Sequence, residues 1–401
     1  MFRQTFGLLL ASTFLCRAAL AVEIAAGDWK FSAAGNVNVH YIGSSCEEES
    51  TPGIVGGLAC RGVAGEDRSS SISNGLLPAA LALSASTTQK GYDLSATFGF
   101  YPGISTNDGS PNLQQGADSL NTALGTTGID MRQVFMTFGN KSMGEFMLGR
   151  NIGLFGADAI LNDMTLPGVG AGNGNYATPA NTSLGSIGLG YIYTDWLGQM
   201  NYTTPDFGGV KITIGIFDPL EPIVQDVAVP EGSPGFHGKI AYTNGPFYLS
   251  ATFISQKHEG AADVQDFDSF GFDVGGKVTF GGAEFLVWYY QGEGIGTTAL
   301  YLRGDDRLGN ERDSDGFLAQ LTYKFGDTKV GVNYGESNLD LAAGEAPSLL
   351  VATNQKYTVG VYHSLTENFT LLAEFTDTTA EAHNGVENDS SNFNVGAYLS
   401  F

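Results

Sequence analysis

The feature that most constrains this chain is a two-residue alternation of apolar with polar or small side chains, held for about ten residues at a time and repeated along its length. Trp29, Phe31, Ala33, Gly35, Val37, Val39 and Tyr41 share one parity; Lys30, Ser32, Ala34, Asn36, Asn38 and His40 share the other. Near the far end Phe393, Val395, Ala397, Leu399 and Phe401 alternate with Asn394, Gly396, Tyr398 and Ser400. Successive side chains of an extended chain point to opposite faces, so each such stretch is a strand with one greasy and one wet face. Sixteen segments are read, near 28–42, 75–89, 91–101, 129–140, 144–151, 187–203, 209–217, 235–243, 246–257, 268–280, 282–292, 316–325, 327–335, 355–364, 368–377 and 392–401. An even number puts both ends of the chain on one side.

The connections sort by parity. Tight turns such as Gln89-Lys90-Gly91, Thr243-Asn244-Gly245-Pro246, Gly281-Gly282, Gly326-Asp327 and Thr366-Glu367-Asn368 alternate with much longer loops. That is the arrangement of an outer-membrane barrel, with short periplasmic turns and long external loops. Hydrocarbon offers no hydrogen-bond partners, so a sheet that is greasy outside can span it only without free edges. The expected fold is therefore all-β: a transmembrane antiparallel β-barrel of 16 strands, in which the first segment pairs with the last. With 56 Gly and 43 Phe and Tyr against 7 Met, the composition suits strands and turns better than helices.

Residues 1–21 are read as a secretory signal, with Arg3, the apolar run Gly7–Leu15 and the small-residue site Ala19-Leu20-Ala21. The barrel domain is then 22–401. Thr13-Phe14-Leu15 before Cys16 does not suit lipid attachment, which wants a small residue there. Cys46 and Cys60 remain, and an oxidising periplasm would join them as a disulfide closing one surface loop.

Removing Arg3 and Arg17 leaves 19 − 2 = 17 basic residues against 42 acidic ones, a net of 17 − 42 = −25. The long connections account for nearly all of it, since their only basic residues are Arg61, Arg68, Arg303, Arg307 and Arg312. Clusters such as Glu47-Glu48-Glu49, Asp263 with Asp266 and Asp268, and Asp305-Asp306 with Glu311, Asp313 and Asp315 crowd the external mouth. They read either as a solvated, repulsive surface or as a vestibule that concentrates cations and takes divalent ions bridging to anionic lipopolysaccharide. Asp313-Ser314-Asp315-Gly316 resembles a fragment of a calcium loop but has no closing glutamate.

The stretch 129–173 resembles the general porins of Gram-negative bacteria. It carries Met131-Arg132-Gln133-Val134-Phe135-Met136-Thr137-Phe138, then Gly144-Glu145-Phe146, Gly149-Arg150-Asn151, Asp158-Ala159 and the loop tip Leu166-Pro167-Gly168-Val169-Gly170-Ala171-Gly172-Asn173. Asn201-Tyr202-Thr203-Thr204-Pro205-Asp206-Phe207-Gly208-Gly209 is similar to the family's turn, and the ending with Leu399 and Phe401 to its assembly signal. The resemblance implies a homotrimer inserted by the barrel-assembly machinery and a third loop, here 152–186, folded into the lumen. It also implies passive diffusion of small hydrophilic solutes without a cofactor or a nucleic-acid partner. Carried over by position, Arg132 and Arg150 become wall arginines facing the loop carboxylates Asp158 and Asp163 across the constriction. The acidic residues usual at the loop tip are replaced by Gly168 and by Gly172 and Asn173, and a further wall arginine is missing near Asp195, Leu197 and Gln199. The resulting field is expected to be weaker, with a weak preference for cations.

Parity places Lys30, Lys211, Lys239 and Lys277 on the lumen side. Arg150 shares parity with Phe146 and Leu148, yet it is expected to point inward, because a lipid-facing arginine at mid-depth costs roughly 2–4 kcal/mol. The alternative is an arginine near the rim paired with a neighbour. Tyr191, Tyr193, Trp196, Trp288, Tyr289 and Tyr290 could line a sugar track in a substrate-specific porin; the simpler reading is an interfacial girdle. The five histidines lie in no catalytic motif, and no phosphate loop or zinc spacing appears, so no enzyme is expected. A surface β-sandwich adhesin is the remaining rival, distinguished by its independence of detergent.

Overall fold

The computed structural model describes residues 22–46, 53–60, 68–104, 129–172, 182–221, 231–260 and 264–401. The segment 1–21, Glu47–Glu49, Arg61, Asn173 and Asp263 lie outside the described residues. In chain order the strands are β1 (Val22–Ala26), β2 (Trp29–Cys46), β3 (Arg68–Ser73), β4 (Ala80–Gln89), β5 (Tyr92–Pro102), β6 (Ile129–Asn140), β7 (Gly144–Ile152), β8 (Trp196–Thr203) and β9 (Val210–Phe217). They continue with β10 (Gly235–Asn244), β11 (Phe247–His258), β12 (Phe267–Phe280), β13 (Ala283–Glu293), β14 (Asp313–Phe325), β15 (Thr328–Leu339), β16 (Val351–Ser364), β17 (Phe369–Ala382) and β18 (Glu387–Ser400). One helix, α1 (Ala157–Asn162), follows β7.

Every pairing between neighbouring strands is antiparallel, and the ladder returns to its start. These eighteen segments fill sixteen barrel positions. β3 and β4 share one, pairing with the upper and lower halves of β2. β1 continues the line of β18: Ser400 pairs with Asn36, Phe401 exchanges backbone hydrogen bonds with Gly35 at 2.8 and 3.0 Å, and Val22 pairs with Ala33. The first and last segments therefore meet in one seam.

The alternation is visible in the burial. On β9, Ile212, Ile214 and Ile216 are exposed on the outer face while Thr213 and Phe217 are buried inside. On β16, Tyr357, Val359 and Val361 face out and Asn354, Lys356 and Thr358 face in. An exterior of this kind is stable only against hydrocarbon. No described helix is long and apolar enough to cross a membrane; the strands do so.

Two departures from the sequence reading concern the lumen. The segment expected at 187–203 is a strand only from Trp196. Positive φ at Gly188, Gly190 and Asp195 breaks extension before it, and Ile187, Leu189, Tyr191 and Ile192 are buried instead. The segment expected at 75–89 begins at Ala80, because residues 74–79 turn inward, where Asn38 accepts from the Gly75 amide and donates to the Leu77 carbonyl. Several later strands also run past their expected ends, as β15 does to Leu339 and β17 to Ala382, since pairing persists where the outer face turns polar.

The interior is not uniformly wet. Leu286, Trp288 and Leu318 point inward from β13 and β14 and are covered by Leu76, Ala159, Ile160, Ile187 and Tyr191. A second cluster joins Phe155, Ile192 and Tyr301 to inward Phe217, Ile254 and Tyr290. Part of the lumen is thus packed like a protein core.

Candidate channel and constriction

Arg132 enters the lumen through a bulge. The β5–β6 register shifts between Gly99 and Phe100, so Gln133 opposes Gly99 and Met131 opposes Phe100, leaving Arg132 as the extra residue. Arg132 and Gln133 are consecutively buried, whereas Met131 and Val134 lie outside. The Arg132 guanidinium bonds Asp130 at 3.0 Å and lies 5.3 Å from the Tyr101 ring centroid. The Tyr101 hydroxyl donates to Gln133 at 2.6 Å, and Gln133 donates to Asn151 on β7 at 2.8 Å.

The connection after β7 is laid along inward side chains of half the barrel. The Gly156 amide donates to Asp273 of β12 at 2.7 Å. Asp158 on α1 pairs with Lys239 of β10 at 3.2 Å and accepts from Tyr248 and Ser250 of β11, both at 2.8 Å. The Met164 amide donates to Gln320 of β14 at 2.6 Å. Asp163 accepts from Tyr191 at 2.9 Å and from Asn333 of β15 at 3.2 Å. At the tip, the Val169 and Gly170 amides donate to one oxygen of Glu374 on β17, at 2.8 and 2.9 Å. Beyond it the Gly172 amide donates to Asn392 of β18 at 3.2 Å. The wall groups Asp273, Gln320, Asn333 and Glu374 had no motif to announce them; their only trace is a polar residue at inward parity.

Of the four residues expected at the constriction, Arg132 and Asp158 line one open passage of about 440 Å³. Asp163 does not: it is 3% exposed and spent on Tyr191, Thr165 and Asn333, so it fixes the loop rather than facing the pore. Arg150 is corrected outright. It pairs across the ladders with outward Val134 and with Gly198, keeps the parity of Phe146 and Leu148, and is exposed. Its position two residues from the external end of β7 explains the tolerance, since near the interface an outward arginine costs only about 0–1 kcal/mol. Its charge also acts on Asp195, whose carboxyl burial raises above the ordinary range while its own bond to the Trp196 amide, Arg150 and Arg132 oppose.

Of the four lysines expected on the wall, two border the open space. Lys211 and Lys239 line the passage; Lys30 pairs with Glu23 at 2.5 Å and Lys277 with Glu284 at 3.6 Å nearer the short-turn end. Cys46 and Cys60 are joined as a disulfide, with Cα atoms 5.1 Å apart. Among the expected aromatics, Trp288 and Tyr290 are each 1% exposed beneath the inserted segments and form neither track nor girdle. Tyr193 and Trp196 do line the passage. Among the described residues no group of three or more potential metal ligands comes together.

These placements predict opposite outcomes for the two arginines. Arg132→Ala removes one positive charge from the passage and should shift the zero-current potential under a salt gradient towards cations. Arg150→Ala should leave conductance and potential unchanged. Equal effects from both would contradict the placement.

A closed antiparallel cylinder, apolar outside and enclosing a passage with both polar and apolar walls, is the architecture of an outer-membrane β-barrel. The family model described as Gram-negative porin matches residues 8–383, and the chain belongs to that family. Among solved structures it is similar to the outer membrane channel DcaP of Acinetobacter baumannii, with a TM-score of 0.68 at 12% identity over 94% of this chain and 99% of that one. It is also similar to Salmonella typhi OmpF in complex with daunomycin, at 0.60 and 13% over 95% and 100%. A Rhodopseudomonas blastica porin mutant gives 0.52 and 14% over 92% and 100%. A search of curated protein sequences finds no match.

Proposed function

We propose that this porin is a passive diffusion channel for small hydrophilic solutes and ions with a weak preference for cations. The observation that supports it is local neutrality at the passage beneath an acidic mouth. Arg132 is matched by Asp130 and Lys239 by Asp158, while Lys211 interacts electrostatically with Glu145. With the narrow section balanced, the surplus of carboxylates on the long connections decides which ions are enriched. At the mouth, Arg312 is itself held by Glu345 at 2.7 and 2.5 Å and adds little free positive charge.

The same reading has residues 1–21 removed on export, with Leu399 and Phe401 presented to the barrel-assembly machinery. It also has three copies assembling as a homotrimer, and external carboxylates meeting lipopolysaccharide through divalent cations. Planar-bilayer recordings under a potassium chloride gradient test the channel and its bias together. The expected result is a stable ohmic conductance with a modestly cation-selective zero-current potential that shrinks as salt screens the mouth. An anion-selective potential would refute the bias, and no conductance would refute the channel.

A further inference from the structure

The passage has two chemically distinct sides. The barrel wall contributes Gln133, Asn151, Asn201, Thr213, Lys211 and Lys239. The inserted segments contribute Leu76, Leu154, Ile160, Leu161 and Leu166, with Pro78 beside them and a single carboxylate, Asp158, that is paired with wall Lys239. This segregation follows from how the segments are anchored. Their hydrogen-bonding groups are turned to the wall by the Asp158, Asp163 and Glu374 contacts, which leaves the aliphatic side chains to face the opening. Leu154, Leu161 and Leu166 remain only half-buried, so they present apolar surface to whatever passes. The loop tip that carries glycines in place of carboxylates adds no charge to this side.

We infer that the channel favours small amphiphilic solutes, whose apolar side slides on the Leu154–Leu161–Leu166 face while a charged or hydrogen-bonding end is handed along Asn151, Lys211, Asn201 and Lys239. The inference rests on the diffusion-channel reading and narrows its substrate class. A solute that covers the leucines removes apolar surface from water on both partners. Its polar end meets donors and acceptors rather than a dry wall, and the paired charges accept zwitterions without excluding either sign.

Leucine and asparagine are a suitable pair of probes, being zwitterions of nearly equal mass. Leucine is the bulkier, so sieving by size alone makes it slower. In proteoliposome swelling with the purified full-length protein, leucine is expected to enter at least as fast as asparagine. The double substitution Leu161→Ser with Leu166→Ser should lower the leucine-to-asparagine rate ratio by a factor of about three to ten, as loss of a few methylene contacts implies. Retention of asparagine flux and of heat-modifiable migration shows that the variant is folded. Slower leucine entry in the native channel, or an unchanged ratio in the folded variant, overturns the inference. Swelling with neither solute would instead sink the channel reading on which it rests.

Discussion

Glu374→Ala is expected to release the tip of the inserted segment, raising single-channel conductance and adding rapid flicker. Glu374 is 1% exposed, and its carboxylate accepts from the Val169 and Gly170 amides, from Asn394 at 3.2 Å and from the Tyr362 hydroxyl at 2.6 Å. Two successive amides converging on one oxygen form a small anion nest in which Gly170 holds φ +56°. Gly168 lies so close that a Cβ there would sit 2.1 Å from the carboxylate. Buried Lys356 is electrostatically coupled to the same group and to Asp163. Removing one partner of such a network costs roughly 3–5 kcal/mol, because the other groups are left buried and unmatched. The loss falls on the tip, since the β16–β17–β18 ladders run unbroken through this level. Glu374→Gln keeps the shape but not the charge and should fall between the two. Recordings from Glu374→Ala that match the native trace in level and noise would remove Glu374 as the anchor.

Much of the barrel could be read from the chain because lipid enforces one rule on every strand. Ile212, Ile214 and Ile216 had to lie on one face, and parity then carried Lys211 to the other. The same rule gives the wrong face at Arg150, because the mid-depth cost of a lipid-facing charge does not apply to a residue near the rim. Periodicity also says nothing about how far inside the barrel a segment reaches. Ile187 to Ile192 look like a strand, yet their one bridge, Ile187 to Tyr191, closes on itself and joins no barrel ladder. One local signal does point to the inserted segments: Phe285-Leu286-Val287-Trp288-Tyr289-Tyr290 is apolar on both parities, as a strand covered on both faces should be. It marked the side of the lumen where Leu286, Trp288 and Tyr290 lie under the inserted segments. The partners of Asp158 and Asp163 were not legible, since they depend on the route of a loop that no local pattern encodes. The amphipathic passage follows from that route and was equally hidden.

The seam offers the second large effect. Gly35→Val is expected to prevent closure of the barrel, so that refolding in detergent yields no form that migrates as folded without heating. A Cβ at Gly35 would lie 2.4 Å from the Ala80 carbonyl oxygen and 2.7 Å from Cζ of Phe401. The first contact is with backbone held in the β2–β4 ladder, which cannot retreat without breaking the pairing from Lys30 to Asn36. The second is with the ring at the chain's end, whose own backbone bonds Gly35 from the other side. Both edges of β2 are therefore set by the absence of a side chain at one position, and a barrel left open exposes unpaired amides to hydrocarbon. A penalty above about 4 kcal/mol, the range reserved for mutations that break packing and pairing together, is enough to abolish the folded band. Combining Gly35→Ala with Phe401→Ala relieves the ring contact alone and should recover only part of the folding yield, because the Ala80 oxygen remains in the way. Full recovery in that double variant would assign the constraint to the terminal ring, and a normal yield and urea midpoint for Gly35→Val would show that the seam tolerates a side chain after all.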